Sequence, residues 1–487
     1  MIIRLKIKGF KNIREIDISF GPFTCIAGAN GVGKSNLFDA IRFLSALANK
    51  DNTLVDAALQ VRDEKNRKRS ASDLRNLFYH DGDKYANLME FEVDMIIPLS
   101  GFDHLGQPAK ATTTSLRYHL ALGMRMQENG GNGSLEILRE DLIPIKKTEI
   151  KPALKRLNAT NEWIESVLAG RRQNATPFIQ TLPDEKIVAI SQDQTEGGRK
   201  KRLQIDKLPR TILSSATAIE YPTMLLAKKE MESWRILQLE PSALRSTDDT
   251  MLTELNEVSA NGDHLPATLF RLLHDRAIKS DVKAQIGNRL SQLIDDVFTV
   301  DVDKDEKRGL LTLLVKGKTG PSFPARSLSD GTLRFIALSI IESDPQVSGL
   351  ICLEEPENGI HPERIPAMLK LLQDIACDIE FPVDADNPLR QVIVNTHSPL
   401  VVAEIKEDCL LMADLERFHK GKSLSLKHLS RTWRDIEPST SKTISKGDLL
   451  VYLNPYIKNS SKRGKTLEKK RVIDRDELSQ LSLFSDK

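Results

Sequence analysis

The amino-acid sequence predicts an α/β protein centred on a largely parallel, covered sheet with helices on its faces. Two observations carry this. Phe23–Ala27 is a short apolar run followed at once by a glycine-rich turn and a helical pattern over Asn36–Leu47, the strand, loop and helix order of a phosphate-binding unit. In the second half, strand-sized apolar runs at Gly349–Leu353, Gln391–Asn395 and Leu410–Met412 alternate with helical patterns at Leu333–Glu342 and Pro362–Ile379. Strands covered on both faces read as continuous apolar runs in this way.

Upstream of the glycine turn, Ile2–Ile7 alternates apolar with basic residues, Gly9 interrupts, and Ile13, Ile16 and Ile18 resume the rhythm, which predicts a pair of strands. Residues 51–83 are polar and irregular and include the charge run Arg62–Arg69. Met89–Ile97, Arg117–Leu122 and Ser134–Leu138 predict strands of an antiparallel sheet beside the first helix. From Lys151 to Val297 helical patterns dominate, at Glu162–Leu168, Thr223–Leu239, Ala267–Ala277 and Asp281–Val297, with a polar break at Gln192–Arg202. A mainly helical insertion is expected there, with heptads too poor for a long coiled coil. Leu310–Val315 alternates as a strand. The expected organisation is a head lobe over 1–150, an insertion over 151–290 serving dimer or partner contacts, a second head lobe over 291–415 and a C-terminal tail over 416–487.

At 487 residues the chain exceeds what one core usually serves. Its 40% apolar and 28% charged residues suit a folded globular chain. The longest apolar stretches are only strand-sized and the start Met1-Ile2-Ile3-Arg4 lacks a signal peptide's apolar run, so no membrane contact and a cytoplasmic location are expected. Cys25, Cys352, Cys377 and Cys409 show no CxxC spacing and are expected as small core residues. A net charge of +2 makes no global polycation, so any nucleic-acid contact falls to local patches. Arg199–Arg202 reads either as a solvated loop or as a DNA-facing patch. In the tail, the basic run Lys458–Arg471 followed by Leu478, Leu481, Leu483 and Phe484 reads either as a nucleic-acid contact with an apolar docking peptide or as a solvated end.

The chemistry concentrates in four segments. Gly28-Ala29-Asn30-Gly31-Val32-Gly33-Lys34-Ser35 satisfies GxxxxGK[ST] between a predicted strand and a predicted helix. Its glycines let backbone N–H groups wrap phosphates, Lys34 reaches the β and γ phosphates, and Ser35 offers its hydroxyl to Mg²⁺. Gly349–Glu357 is a buried strand delivering Glu354 and Glu355 at its end, the first suited to orient a Mg²⁺ shell and the second to polarise an attacking water. At Leu328–Thr332, Ser329 and Gly331 stand at the start of a predicted helix, where hydroxyl and N–H donors meet phosphate; alone, this is no more than a helix cap. Val392–Pro399 ends a further strand at His397.

Leu328-Ser329-Asp330-Gly331-Thr332 resembles the LSGGQ signature of ABC ATPases, shortly ahead of a Walker B segment as in that superfamily, and Val392–Pro399 resembles its switch-histidine strand. The forms Glu354-Glu355-Pro356-Glu357-Asn358-Gly359-Ile360-His361-Pro362 and Thr396-His397-Ser398-Pro399, with the opening Leu5–Ile13, resemble the SMC, RecF and OLD branch and not a transporter. More closely, the chain resembles stand-alone ATPase subunits of bacterial antiphage systems of the Septu PtuA and PARIS AriA type. The resemblance spans roughly 1–150 and 290–415; it is weak over the insertion and absent from the tail.

This resemblance implies an ABC-type P-loop ATPase head that uses ATP and Mg²⁺, with Lys34, Glu355 and His397 catalytic. Asn30, Gly31, Gly33, Lys34, Ser35 and Asn36 of one chain would face Ser329, Asp330 and Gly331 of another across the nucleotide, with Ser35 and Glu354 on the metal side. It implies a homodimer or higher oligomer through ATP-sandwiched heads, with Asn358–His361 at the interface. Two departures stand out. Glu354 occupies a position where Asp is usual, and no transporter-type Q-loop is recognisable, Tyr79-His80-Asp81 being the nearest segment. The implied role is that of sensor and regulator of a separate nuclease or toxin effector in an antiphage complex. The residues after Leu410 hold no nuclease constellation, so no nuclease domain of its own is expected. A RecF-like or RecN-like DNA repair ATPase and an ATP-binding scaffold with little turnover are the alternatives.

Overall fold

The computed structural model describes residues 1–61, 72–82, 84–125, 133–170, 176–193, 201–252, 257–275, 282–291, 297–317, 321–418, 421–436 and 442–453. Residues 1–444 form one compact unit. The chain opens with β1 (Ile2–Phe10) and β2 (Ile13–Ser19), an antiparallel pair, followed by β3 (Phe23–Ala27) and α1 (Lys34–Ala48). Every residue of β3 is buried. In α1 the residues Leu37, Phe38, Ile41, Leu44 and Leu47 are buried, the i, i+3, i+4 stripe of a helix that faces a core. Next comes α2 (Leu54–Gln60), started by a capping box in which Thr53 Oγ1 accepts from the Asp56 N–H and Asp56 accepts from the Thr53 N–H.

The predicted alternation over 89–138 becomes β4 (Leu88–Ile96), β5 (Ser115–Arg125) and β6 (Ser134–Pro144), which extend β1 into an antiparallel sheet. After α3 (Lys147–Arg156) and α4 (Asn161–Val167), the short strands β7 (Ile179–Leu182), β8 (Ile187–Ile190) and β9 (Lys201–Gln204) complete eight strands in the order β9-β8-β7-β6-β5-β4-β1-β2. Then follow α5 (Pro222–Glu232), β10 (Arg235–Leu237), α6 (Leu265–His274) and α7 (Val282–Ser291). The segment 151–290 is thus helix-rich, but among the described residues it also supplies strands to three sheets, Asp248-Asp249 pairing with Leu310-Leu311 in the third. Thr223–Leu239 reads as one helix by apolar content alone; the structure ends the helix at Glu232 and turns Arg235–Leu237 into a strand. A short buried run does not declare its own geometry.

A hairpin of β11 (Val297–Asp305) and β12 (Leu310–Gly317) leads to α8 (Asp330–Ser343), β13 (Gly349–Glu354), α9 (Ile365–Ile375), β14 (Arg390–Thr396), α10 (Pro399–Glu404), β15 (Leu410–Phe418), β16 (Gly421–Leu429) and β17 (Lys442–Ile444). The second sheet has seven strands in the order β10-β13-β14-β3-β15-β16-β17. Its members from β10 to β15 run parallel, and β16 turns back antiparallel to β15. A tail beginning at 416 is therefore corrected: the chain stays in this sheet to Ile444. Leu424 N bonds Asn12 O, and the buried Arg434 donates to Ser19 O, tying this region to the first hairpin. The second unit, 445–487, is described only over its helix Lys446–Leu453.

Helix α1 lies between the two sheets. Phe10 of β1, Phe43 of α1 and Phe91 of β4 pack with ring centroids 5.5 to 6.1 Å apart, in stacked and edge contacts that aromatic pairs favour. The same core takes in Leu350, Cys352 and Ile393 of the parallel sheet. All four cysteines are free, three of them buried and Cys409 half-buried, and burial pushes the Cys377 thiol up to about 12. Among the described residues no helix is long and apolar enough to cross a membrane. The basic runs Arg62–Arg69, Arg199-Lys200 and Lys458–Arg471 lie outside the described residues.

Candidate nucleotide-binding site

Strands β13, β14 and β3 are parallel neighbours whose register sets Glu354 opposite Asn395 and Thr396 opposite Ala27. All three end at one edge of the sheet, the place where ligands of open α/β sheets bind. The Gly28 N–H closes the P-loop onto Thr396 O at 3.2 Å. Gly33 has φ +99°, and a Cβ there would stand 2.0 Å from Asn12 Nδ2, so only glycine fits. Asn12, from the turn between β1 and β2, braces the loop: its Nδ2 donates to Val32 O at 3.1 Å and its Oδ1 accepts from Asn36 Nδ2 at 2.7 Å. Asn30 and Gly31 are exposed at the apex and Ser35 is half-buried at the start of α1. Lys34 Nζ donates to Gly28 O at 2.7 Å and Ala29 O at 3.0 Å. Burial lowers the Lys34 pKa, opposed by the charges of Glu355, Glu354 and Glu357.

Glu354 is the exposed last residue of β13, approached by Asn395 Nδ2 at 3.4 Å. Glu355 has φ +47°, a left-handed conformation rare for residues other than glycine and common at functional sites. Its N–H is held by Asn395, at 2.9 Å to the backbone oxygen and 3.2 Å to Oδ1. Its carboxylate receives two side-chain donors, His397 Nδ1 at 2.7 Å on Oε1 and Asn358 Nδ2 at 2.8 Å on Oε2. A carboxylate partner requires the imidazole hydrogen on Nδ1. Burial pushes the Glu355 pKa up, but Asn358, His397 and the Lys34 charge outweigh it and hold the group below its ordinary value. Burial raises the Glu357 pKa; its Oε1 meets the Thr396 hydroxyl and its Oε2 is buried without a hydrogen-bond partner.

Ser329 caps α8, its Oγ accepting from the Thr332 N–H at 3.3 Å. Arg245 secures this turn by donating to Leu328 O at 2.9 Å and to the Asp330 carboxylate. Gly331 packs on the loop after Glu355, where a Cβ would stand 2.4 Å from Gly359 O, and Arg334 Nη1 donates to Asn358 O at 2.7 Å. The structure therefore gathers the P-loop, Glu354, Glu355 and His397 at one sheet edge and seats Ser329–Gly331 against the Asn358-Gly359 turn. Tyr79-His80-Asp81 is tied elsewhere, through Tyr79 N to Gly9 O at 2.8 Å. Asn12, Arg245, Arg334 and Asn395 were not singled out by the motifs. Asn12 and Asn395 carried a faint signal inside quoted patterns, whereas the two arginines carried none.

The donor set suits ATP with Mg²⁺. The loop presents its backbone at Gly31 and Gly33 in left-handed conformation, a shape that turns successive N–H groups toward an anion. The Ser35 hydroxyl and the Glu354 carboxylate are hard oxygen donors. Among the described residues no three or more His, Cys, Asp or Glu side chains form a metal cage, and Mg²⁺ is typically held by one or two protein oxygens beside phosphate oxygens.

Two family models match the chain. Residues 1–101 match the "RecF/RecN/SMC N terminal domain", and residues 163–403 match a family described as "AAA domain, putative AbiEii toxin, Type IV TA system". No curated protein matches. Similar solved structures include an SMC head bound to the C-winged helix domain of ScpA, at 14% identity and TM-score 0.46 over 88% of this chain and 99% of that one. Another is the SMC head domain from Thermotoga maritima, at 12% identity and TM-score 0.35 over 87% and 97%. A third is an SMC head domain with an extended coiled coil, bound to the C-terminal domain of ScpA derived from Pyrococcus furiosus, at 11% and 0.38 over 87% and 96%. At these scores the structures carry no assignment. The sheet order and the placement of the motifs give a P-loop α/β architecture, and the similarity to the RecF/RecN/SMC and AAA families is confined to the two matched segments.

Proposed function

We propose that the chain hydrolyses ATP to ADP and phosphate and that two heads close around the nucleotide to do so. The observation that carries this is the Glu355 carboxylate held between His397 and Asn358 at the sheet edge where Lys34 stands. Phosphoryl transfer asks for a positioned water and neutralised charge more than for covalent chemistry. Lys34 would exchange Gly28 O and Ala29 O for β- and γ-phosphate oxygens, and Ser35 with Glu354 would hold Mg²⁺. Bound there, Mg²⁺ neutralises charge on the phosphate oxygens. Glu355 orients a water and takes its proton as the oxygen joins the γ-phosphorus and the bond to the β-phosphate oxygen breaks. Ser329 and Asp330 are exposed at the start of α8, so the donors of that helix end are open to a second chain's nucleotide.

Phosphate release and particle mass, measured with and without ATP, test this. Wild type should turn over, Glu355→Gln should accumulate as an ATP-dependent dimer, and Lys34→Ala should do neither. A wild type that releases no phosphate and whose mass ignores ATP sinks the reading.

The role we assign to this cycle is control of a separate nuclease or toxin effector within an antiphage complex. Support comes from the toxin-system description of the family matching residues 163–403. A DNA repair ATPase is the second reading, favoured by the description of the family matching residues 1–101. Phage challenge of cells carrying the locus separates them. Protection lost with Lys34→Ala supports defence, while unchanged infection with sensitivity to DNA breaks supports repair.

A further inference from the structure

A cleft of about 480 Å³ opens at the C-terminal end of α1, walled by α1, the turn that follows it and α5. Its charged lining is Arg42, Lys50, Lys228 and Lys229 against Asp51 and Glu232. Lys228 is the unusual member. Its side chain is only 7% exposed, and its nearest acid, Glu232 Oε1, lies 3.9 Å away, beyond hydrogen-bond reach. Among the described residues neither Lys228 Nζ nor the Arg42 guanidinium has a hydrogen bond. Burial lowers the Lys228 pKa, a cost that Glu232 offsets in part and Lys50 increases. A buried ammonium that lacks hydrogen bonds is normally completed by an anion. The neighbouring amide oxygens do not complete it: Asn52 Oδ1 already accepts from Gln60 Nε2, and among the described residues neither amide oxygen bonds Lys228.

We propose that this cleft is a second anion site, separate from the P-loop, which binds a small phosphate-bearing molecule with Lys228 at its floor and Arg42 on its wall. A small ligand fits better than a nucleic-acid backbone. The volume falls in the usual range of about 300–1,000 Å³ for small-molecule pockets, and the Lys228 side chain, 7% exposed, opens to solvent within the cleft and not on an outer face where a duplex would lie. Both walls run to the nucleotide edge. Helix α1 begins at Lys34, and α5 passes into β10, which pairs with the strand bearing Glu354. Occupancy of the cleft is thereby placed to bias that edge.

The test is calorimetric titration of the full chain with pyrophosphate, in a Lys34→Ala background so that the P-loop does not compete. The expected result is saturable binding that weakens at least about tenfold on Lys228→Met and on Arg42→Gln, the loss of one charge-assisted hydrogen bond in each case. Lys228→Met should also leave the melting temperature in anion-free buffer unchanged or raised, because it removes a largely buried charge that has no hydrogen bond and only a distant acid, at similar volume. The proposal is overturned by the absence of saturable pyrophosphate binding, by affinity that survives both substitutions, or by a lowered melting temperature with affinity kept. It is equally overturned if only a DNA duplex, and not pyrophosphate, binds in a Lys228-dependent way. Arg42→Gln, on a half-buried helix face, carries the test where Lys228→Met does not fold. None of these outcomes depends on whether the chain hydrolyses ATP.

Discussion

The edge of the parallel sheet and the middle of the antiparallel sheet each hold a glutamate partly or wholly away from water, and they satisfy it by opposite means. Glu140, on β6, is fully buried and receives the N–H groups of Ile212 and Leu213 with the Tyr118 hydroxyl. Burial pushes it up to about 7 despite these donors. Glu355 is half-buried, strained at φ +47°, and pulled below its ordinary value by Asn358, His397 and Lys34. The donors of Glu140 are mostly backbone groups of a turn that would otherwise go unpaired. Those of Glu355 are exposed side chains, which in the proposed cycle would face a nucleotide or a second chain. Satisfaction by backbone anchors a fold, whereas satisfaction by exposed side chains at a strained residue is the pattern of a site.

The largest effect that would break or sharpen this contrast is at Glu355. Glu355→Gln should lower phosphate release about 10²- to 10⁴-fold, the usual worth of a positioned base, with little change in the urea midpoint. A Glu355→Gln chain that turns over normally would make its strain and clamps structural, as at Glu140. Next in size is the pH response of Glu140. A carboxyl whose folded pKa is raised from 4.5 to about 7 contributes stability that is complete below pH about 4.5 and is lost as pH rises toward 7. Relative to Glu140→Gln, wild type should therefore lose roughly 3 kcal/mol between pH 4.5 and 8, read from denaturant unfolding at each pH. Parallel curves for the two chains would refute the burial account.

The same contrast explains what was legible in the sequence. Gly28–Ser35, Glu354, Glu355 and His397 lie at the ends of strands with the apolar cores Phe23–Ala27, Leu350–Leu353 and Val392–Val394, and each motif is local, so strand and site declare themselves together. Strands β7, β8 and β9 have four residues each, too few for alternation to register. The hairpin of β15 and β16 was cut at 416 because its pairing, Leu411 with His428 through Phe418 with Gly421, depends on residues far outside any helical or strand window. Arg245 on the signature turn and Glu140 under the 212–213 turn are long-range partnerships, and no spacing rule points to them.

A smaller effect is expected at Asn12. Its amide is the brace between the Val32 carbonyl and Asn36, so Asn12→Ala should leave the sheet intact and loosen the loop. Losing two partly buried hydrogen bonds costs about 1–3 kcal/mol, which should appear as weaker ATP binding by roughly ten- to a hundredfold in fluorescence titration. Unaltered nucleotide affinity would mean that the loop holds its shape without Asn12.

The smallest change in stability, and the most telling about assembly, is at Ser329. As the cap of α8 its Oγ accepts the Thr332 N–H and shares an exposed hydrogen bond with the Thr332 hydroxyl at 2.8 Å, so Ser329→Ala should cost about 1 kcal/mol, visible as a slight fall in the urea midpoint. Its effect on turnover should depend on which chain it is placed in. If Ser329 serves a partner's nucleotide, chains bearing Lys34→Ala and chains bearing Ser329→Ala are each deficient alone. Mixed, they form dimers in which one site combines an intact P-loop with an intact signature turn, and part of the phosphate release returns. If each head completes its own site, every site in the mixture carries one defect and nothing is regained. Recovery on mixing would show that the site around Glu355 is completed across a chain boundary; no recovery would confine the whole site to a single head.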